Sequence, residues 1–181
     1  MEEVHHETVL DYLHSFKGLG PEQFLATYKH PFLVENYLAP SSKIKLGRVE
    51  TISELELNDI PPSSSNQDDE SLLQARVIPL EKRDIDSSER MIFVGRSANN
   101  DIVLPNKMVS KLHAYFSQVP GSGVIQIVDM NSTNGTFVNG TRIAPSVKSS
   151  LQDEDVISFG PETKLEFFSP ASFCQLLQEL S

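Results

Sequence analysis

The sequence holds one cysteine, Cys174, and no tryptophan in 181 residues. A lone thiol excludes an internal disulfide framework and any zinc site built from several cysteines. No apolar run approaches the roughly 18 residues that a membrane helix requires, so no membrane insertion is expected. The opening Met-Glu-Glu-Val-His-His lacks the basic and apolar regions of a secretory signal. A soluble, cytoplasmic protein is the expectation. Basic charge is scarce as well: 15 Lys and Arg stand against 25 Asp and Glu, a net charge of −10. Nucleic acid and anionic lipid both demand a basic footprint, so neither is expected as a partner. There is no phosphate-binding loop, no dinucleotide fingerprint and no His-Glu-x-x-His, and the His5-His6 pair has no third ligand. The chain is therefore expected to be no enzyme and to carry no cofactor or metal.

What is present is unevenly distributed. Residues 1–71 carry 5 basic and 13 acidic side chains, whereas residues 72–168 are nearly balanced at 10 and 11. No Lys or Arg lies between Val49 and Ala75, and Pro61-Pro62-Ser63-Ser64-Ser65-Asn66 sits in the middle of that stretch. Low hydrophobicity, one sign of charge and Pro/Ser content predict an acidic linker over 49–71. Before it, residues 1–48 read as a helical extension. A short helix is expected over 3–16, with Val9, Leu10, Leu13 and Phe16 on one face. Gly18 and Gly20 would stop it. Pro21 would open a second helix whose apolar face continues through Phe24, Leu25 and Tyr28 until Pro31. Residues 32–38 are apolar but too short to classify.

From Leu72 the texture changes. Apolar runs at 75–80, 91–95, 113–118, 124–129, 136–139, 141–144, 155–159 and 163–168 read as strands separated by turn residues. Six of the nine glycines fall among them. Asn139-Gly140 is a two-residue hairpin signal, because a type I′ turn needs positive φ at both central positions. Many short strands without intervening helices predict an all-β sandwich over 72–168. An amphipathic helix over 169–181 follows, with Phe173, Leu176, Leu177 and Leu180 at helical spacing.

Four polar clusters fall in the strand connections: Val94-Gly95-Arg96-Ser97, Val109-Ser110-Lys111-Leu112-His113-Ala114, Asn131-Ser132-Thr133-Asn134-Gly135-Thr136 and Val138-Asn139-Gly140. Alternate loops of a sandwich gather at one end. Arg offers a planar fork for phosphate, Ser a rotatable hydroxyl, and turn amides complete an anion pocket. The ligand inferred from these residue types is a phosphate group.

The series Gly95-Arg96, Ser110-x-x-His113 and Asn134-Gly135-Thr136-x-Val138-Asn139-Gly140 resembles the signature of the forkhead-associated (FHA) domain, in order and in spacing, over roughly residues 72–168. The resemblance implies an all-β, FHA-type sandwich of eleven strands that binds phosphothreonine peptides through loops at one end. It implies that Arg96 and Ser110 bind phosphate, that Lys111 touches it, and that Thr133 and Asn134 contact phosphate or ligand backbone. Gly95, His113, Gly135 and Asn139 would support the site, His113 by bracing the Ser110 loop. The implied role is an adaptor that reads a phosphothreonine-containing protein downstream of a Ser/Thr kinase. The alternative is a scaffold whose main partner binds the flanking helices.

Two other patterns are better explained otherwise. Ser110, His113 and Asp129 have the residue types of a hydrolase triad, but no nucleophile elbow surrounds Ser110. Three Asn-x-Ser/Thr sequons, at Asn131, Asn134 and Asn139, are turn residues. Thr51, at the head of the lysine-free stretch, is a candidate for a phosphothreonine presented to the Arg96 pocket of the same chain.

Overall fold

The computed structural model describes residues 7–35, 70–83 and 91–181. The expected linker up to residue 69, with Thr51, lies outside the described residues, as do His5 and His6.

The described residues form eleven strands, three longer helices and a short helical stretch at 70–73. The strands are β1 (Phe32–Glu35), β2 (Val77–Pro79), β3 (Met91–Gly95), β4 (Ile102–Val103), β5 (Ala114–Gln118) and β6 (Ile125–Asp129), followed by β7 (Thr136–Val138), β8 (Thr141–Arg142), β9 (Lys148–Ser150), β10 (Val156–Phe159) and β11 (Thr163–Phe168). They make a six-stranded sheet in the order β2-β1-β11-β10-β7-β8 and a five-stranded sheet in the order β4-β3-β5-β6-β9. All pairs are antiparallel except β3 with β4. The expected all-β sandwich is thus present. At the β7–β8 turn Asn139 and Gly140 have φ of 50° and 76°, the two positive angles that the sequence predicts there.

The first strand was not legible. Residues 32–35, left unclassified by their length, pair with β2 on one side and β11 on the other. This puts a segment from the N-terminal stretch inside the six-stranded sheet, and the other ten strands all come from residues 77–168.

The two faces of that sheet bury different cores, as the two-residue period of a strand requires. Leu33, Ile78, Leu165 and Phe167 join Val94, Phe116, Ile127, Ile157 and Phe159 between the sheets. The neighbours Phe32, Val34, Val77 and Phe168 point the other way, into a second core with Val9, Tyr12, Leu13, Phe16, Phe24, Phe173 and Leu177. Each fully buried apolar side chain is worth about 1.5–3 kcal/mol, so this layer contributes materially to stability. Phe173 is its hub, stacked on Phe32 at 4.3 Å between ring centres and edge-on to Tyr12 at 5.5 Å.

Three helices build that layer. α1 (Val9–Leu19) begins later than the sequence suggests because Thr8 caps it: Thr8 Oγ1 accepts the Asp11 N–H while the Asp11 carboxylate accepts the Thr8 N–H. It runs through Gly18 and ends at Gly20, and its buried face uses Tyr12 where Leu10 was expected. α2 (Pro21–Thr27) starts on Pro21 and buries Phe24, but Leu25 is exposed and the helix stops at Thr27. α3 (Pro170–Glu179) is capped by Ser169, whose hydroxyl accepts the Ser172 N–H. The apolar faces that a scaffold reading would offer to a partner are therefore buried against this chain's own sheet.

Candidate functional site

One end of the sandwich gathers the β3–β4, β4–β5, β6–β7 and β10–β11 connections. The register requires it. Val94 near the end of β3 faces Ala114 at the start of β5, which faces Asp129 at the end of β6. In the other sheet, Thr136 at the start of β7 faces Phe159 at the end of β10.

Arg96 leaves β3 exposed to solvent. Its backbone N–H donates to the Ser110 carbonyl at 2.9 Å, and its Nε donates to the Val109 carbonyl at 3.1 Å. The guanidinium is thus anchored by one N–H on the loop that carries Ser110. Ser110 Oγ accepts the Thr133 backbone N–H at 3.1 Å and donates to Thr133 Oγ1 at 3.4 Å. Two hydroxyls, one from each loop, therefore lie side by side. Asn134 donates from Nδ2 to the Met108 carbonyl at 2.7 Å, so that nitrogen is committed to closing the gap between the same two loops.

His113 is fully buried and ties this arrangement from beneath. Its Nδ1 accepts the Ser110 N–H at 3.1 Å, which leaves Nε2 as the donor to the Gly135 carbonyl at 3.2 Å. Burial holds its pKa below the ordinary 6.5, against the opposing pull of the Gly135 bond and of Asp129. Both ring nitrogens meet the main chain, so His113 presents no base to the Ser110 hydroxyl, and the triad geometry is not formed.

Gly95 and Gly135 fit for different reasons. A Cβ on Gly95 would stand 2.5 Å from the Lys111 carbonyl oxygen, so only glycine lets β3 pass this close to the Ser110–Lys111 loop. Gly135 has φ +82°, and its empty side is covered by the Arg142 guanidinium. Lys111 is exposed and lines a hollow with Phe93, Ser97, Asn99, Asn100 and Leu112. Asn139 is not brought into the cluster. It stands at the other end of β7, where its amide donates to Asp155 and accepts the Val156 N–H, and its support goes to the β7–β8 hairpin.

Four residues, Asn100, Asp129, Ser132 and Thr136, have a supporting role here that the sequence reading did not assign to them. Asn100, 5% exposed, donates from one amide nitrogen to the carbonyls of Ser97 and Lys111, at 2.8 and 2.7 Å. Asp129, 1% exposed, accepts the Ser132 N–H at 2.9 Å and the hydroxyls of Ser132 and Thr136, both at 2.6 Å. Ser132 Oγ in turn accepts the Gly135 N–H at 3.0 Å. Burial alone would raise the Asp129 pKa, but the Ser132 and Thr136 bonds outweigh it and hold the carboxyl below its ordinary 3.8. The spacing Asp129-x-x-Ser132 is the available signal, since an Asp at a strand end commonly bonds the backbone a few residues on.

Residues 92–160 match the sequence model of the FHA domain. The chain carries an FHA domain. The chain is 43% identical over 69 residues to the ABC transporter ATP-binding/permease protein Rv1747 of Mycobacterium tuberculosis, a match covering 38% of this chain and 7% of that protein. It is 31% identical over 116 residues to the E3 ubiquitin-protein ligase rnf8 of Danio rerio, covering 59% and 24%. The chain spans less than a quarter of the length of either relative. A solved structure from a study of phosphothreonine-dependent FHA domain interactions is similar at 27% identity and a TM-score of 0.42, over 51% of this chain and 83% of that one. Among the described residues no helix is long and apolar enough to cross a membrane.

Proposed function

We propose that this FHA domain is a phosphothreonine-reading adaptor, binding peptides phosphorylated by a Ser/Thr kinase and bringing their parent protein to whatever this chain is attached to, in the cytoplasm. The observation that carries the reading is the joining of Ser110 Oγ to Thr133 beside an Arg96 guanidinium that is anchored on Val109. A phosphate carries about −1.5 to −2 charges and three acceptor oxygens. In this reading Arg96 supplies the charge-assisted donors, Ser110 and Thr133 supply hydroxyls, and Asn134 holds the peptide backbone through its remaining amide hydrogen and its oxygen. Lys111 adds a second cation at the rim. The chemistry is recognition, and no bond is made or broken.

The hydrogen bonds among loops 94–113 and 129–135 favour a preformed pocket, which lowers the ordering cost of binding. The unit assigned to this function is wider than residues 72–168, because β1 and the helical layer complete its sheet. Titration of the full chain with a phosphothreonine peptide library, beside the unphosphorylated and phosphoserine versions, tests the proposal. Selective binding of phosphothreonine peptides that Arg96→Ala abolishes is expected, and equal binding of unphosphorylated peptides overturns it.

A further inference from the structure

In the β4–β5 connection, the turn from Asn106 to Val109 offers consecutive main-chain carbonyls to the two loops beside it. The Met108 carbonyl accepts Asn134 Nδ2 at 2.7 Å, and the Val109 carbonyl accepts Arg96 Nε at 3.1 Å. Arg96 and Asn134 come from different loops, yet both are anchored on this one turn. The course of the turn therefore decides where the two side chains point.

Asn106 fixes that course. It is half-buried, and three of its groups are engaged. Its Oδ1 accepts the Met108 N–H at 2.8 Å, and its main-chain carbonyl accepts the Val109 N–H at 3.0 Å. Its Nδ2 donates to Glu162 Oε2 at 3.1 Å, on the β10–β11 connection. An Asn side chain that bonds the backbone two residues on imitates a turn of main chain and holds it closed. The Val109 N–H and the Met108 carbonyl belong to one planar peptide unit, so holding the first on Asn106 aims the second at Asn134. The β10–β11 connection meets the turn again at Gly160, where a Cβ would stand 3.1 Å from the Met108 carbonyl.

The fold does not depend on this arrangement. Leu104 and Val109, on either side of the turn, are each 1% exposed in the core between the sheets. The Leu104 N–H also donates to the Gly95 carbonyl at 3.1 Å. Both ends of the turn are thus held whatever side chain stands at position 106, and Asn106 governs only the path between them.

We infer that Asn106 is a positioning residue for phosphopeptide binding, which aims Arg96 and Asn134 through the Met108–Val109 peptide without touching the ligand, and that Glu162 orients Asn106. The inference rests on the phosphothreonine reading above.

The test uses the full chain and a phosphothreonine peptide that the natural protein binds. Dissociation constants and denaturation midpoints are measured for the natural protein, for Asn106→Ala, and for Asn106→Asp combined with Glu162→Gln. Asn106→Ala removes both side-chain bonds. The combined variant keeps an oxygen for the Met108 N–H and reverses the link to position 162, with the amide donating to the carboxylate. Asn106→Ala is also measured together with Arg96→Lys and together with Asn134→Ala, each of which removes one of the two anchors on the turn; lysine keeps the charge but has no Nε.

Asn106→Ala should weaken binding on the order of tenfold, the worth of one or two neutral hydrogen bonds, in a protein that is still folded. The combined variant should return to within about threefold of the natural protein. The loss should shrink beside Arg96→Lys or beside Asn134→Ala, as coupling through a shared turn requires. The inference is overturned if Asn106→Ala binds as tightly as the natural protein, or if its loss equals the fraction of protein unfolded. It is also overturned if the combined variant stays as weak as Asn106→Ala, or if the loss is undiminished beside both other substitutions. Failure of every phosphothreonine peptide to bind the natural protein would instead bring down the reading on which the inference stands.

Discussion

His113 spaces Ser110 from Gly135: its ring accepts the N–H of one at 3.1 Å and donates to the carbonyl of the other at 3.2 Å. One buried imidazole thus fixes the separation of the two loops whose hydroxyls meet above it. His113→Ala removes both bonds and leaves a cavity under the loops. The cost should be about 3 kcal/mol or more, from lost packing and two unpaired main-chain groups. Chemical denaturation measures it. A large loss of phosphopeptide affinity with an unchanged denaturation midpoint would make His113 a ligand contact instead.

Arg96 is exposed, and its substitution should leave the fold intact. Arg96→Ala should weaken phosphothreonine binding by about 2–5 kcal/mol, some 30- to several-thousand-fold. Ser110→Ala should cost less, about 1.5–3 kcal/mol for one charge-assisted bond. Calorimetric titration beside a thermal melt checks both, and a dissociation constant unmoved by Arg96→Ala removes that residue from the pocket.

The Gly95 contact predicts a backbone effect with no change of charge. A Cβ 2.5 Å from the Lys111 carbonyl and 2.9 Å from the Ser110 carbonyl meets main chain on both counts, so the loop itself must shift. Gly95→Ala should destabilise the domain by about 1–3 kcal/mol, as overpacking does. It should also weaken phosphopeptide binding although Arg96 and Ser110 are retained. Denaturation and titration of the one variant test the two halves separately.

Acidification should loosen the site in two stages. His113 is held neutral by burial, with a folded pKa below 6.5. The unfolded chain therefore binds a proton first, and the stability that this histidine confers is complete above pH 6.5 and lost as pH falls toward its lowered value. Asp129 is held ionised below 3.8 by Ser132 and Thr136, so its contribution is complete above that value and lost as pH falls through its folded pKa. Denaturation midpoints should decline below about pH 6.5 and more steeply below about pH 4. Asp129→Asn should flatten the lower limb, and an unaltered lower limb would show that Asp129 does not set it.

The sandwich was readable because its strands alternate and its turns carry glycine, asparagine and proline at fixed places. Where those signals weaken, so does the reading. β4 and β9 are two and three residues long, and β9 is Lys-Ser-Ser, so neither has a period to detect. β1 has a continuous apolar run because both of its faces are buried, a pattern that a short strand shares with a helix fragment. In the site, Arg96, Ser110 and Thr133 stand in motifs that sequence order reveals. Asn100 and Asp129 do not, since their partners are loop carbonyls, amides and hydroxyls that come within reach only once the turns have closed. Asn139 illustrates the converse, a motif residue whose spacing is right and whose place in three dimensions is the far end of its strand.

The position of β1 between β2 and β11 also dictates a timetable. Leu33 must wait for Phe167, and Phe32 for Phe168, before the middle of the six-stranded sheet exists. Phe24 and Val9 wait for Phe173 and Leu177 in the same way. On a ribosome adding about 5–20 residues per second, the earliest apolar segment emerges roughly ten to thirty seconds before its cover is made. A nascent chain arrested before residue 163 would hold every residue of the proposed phosphate pocket yet lack β11, the strand that seals both cores.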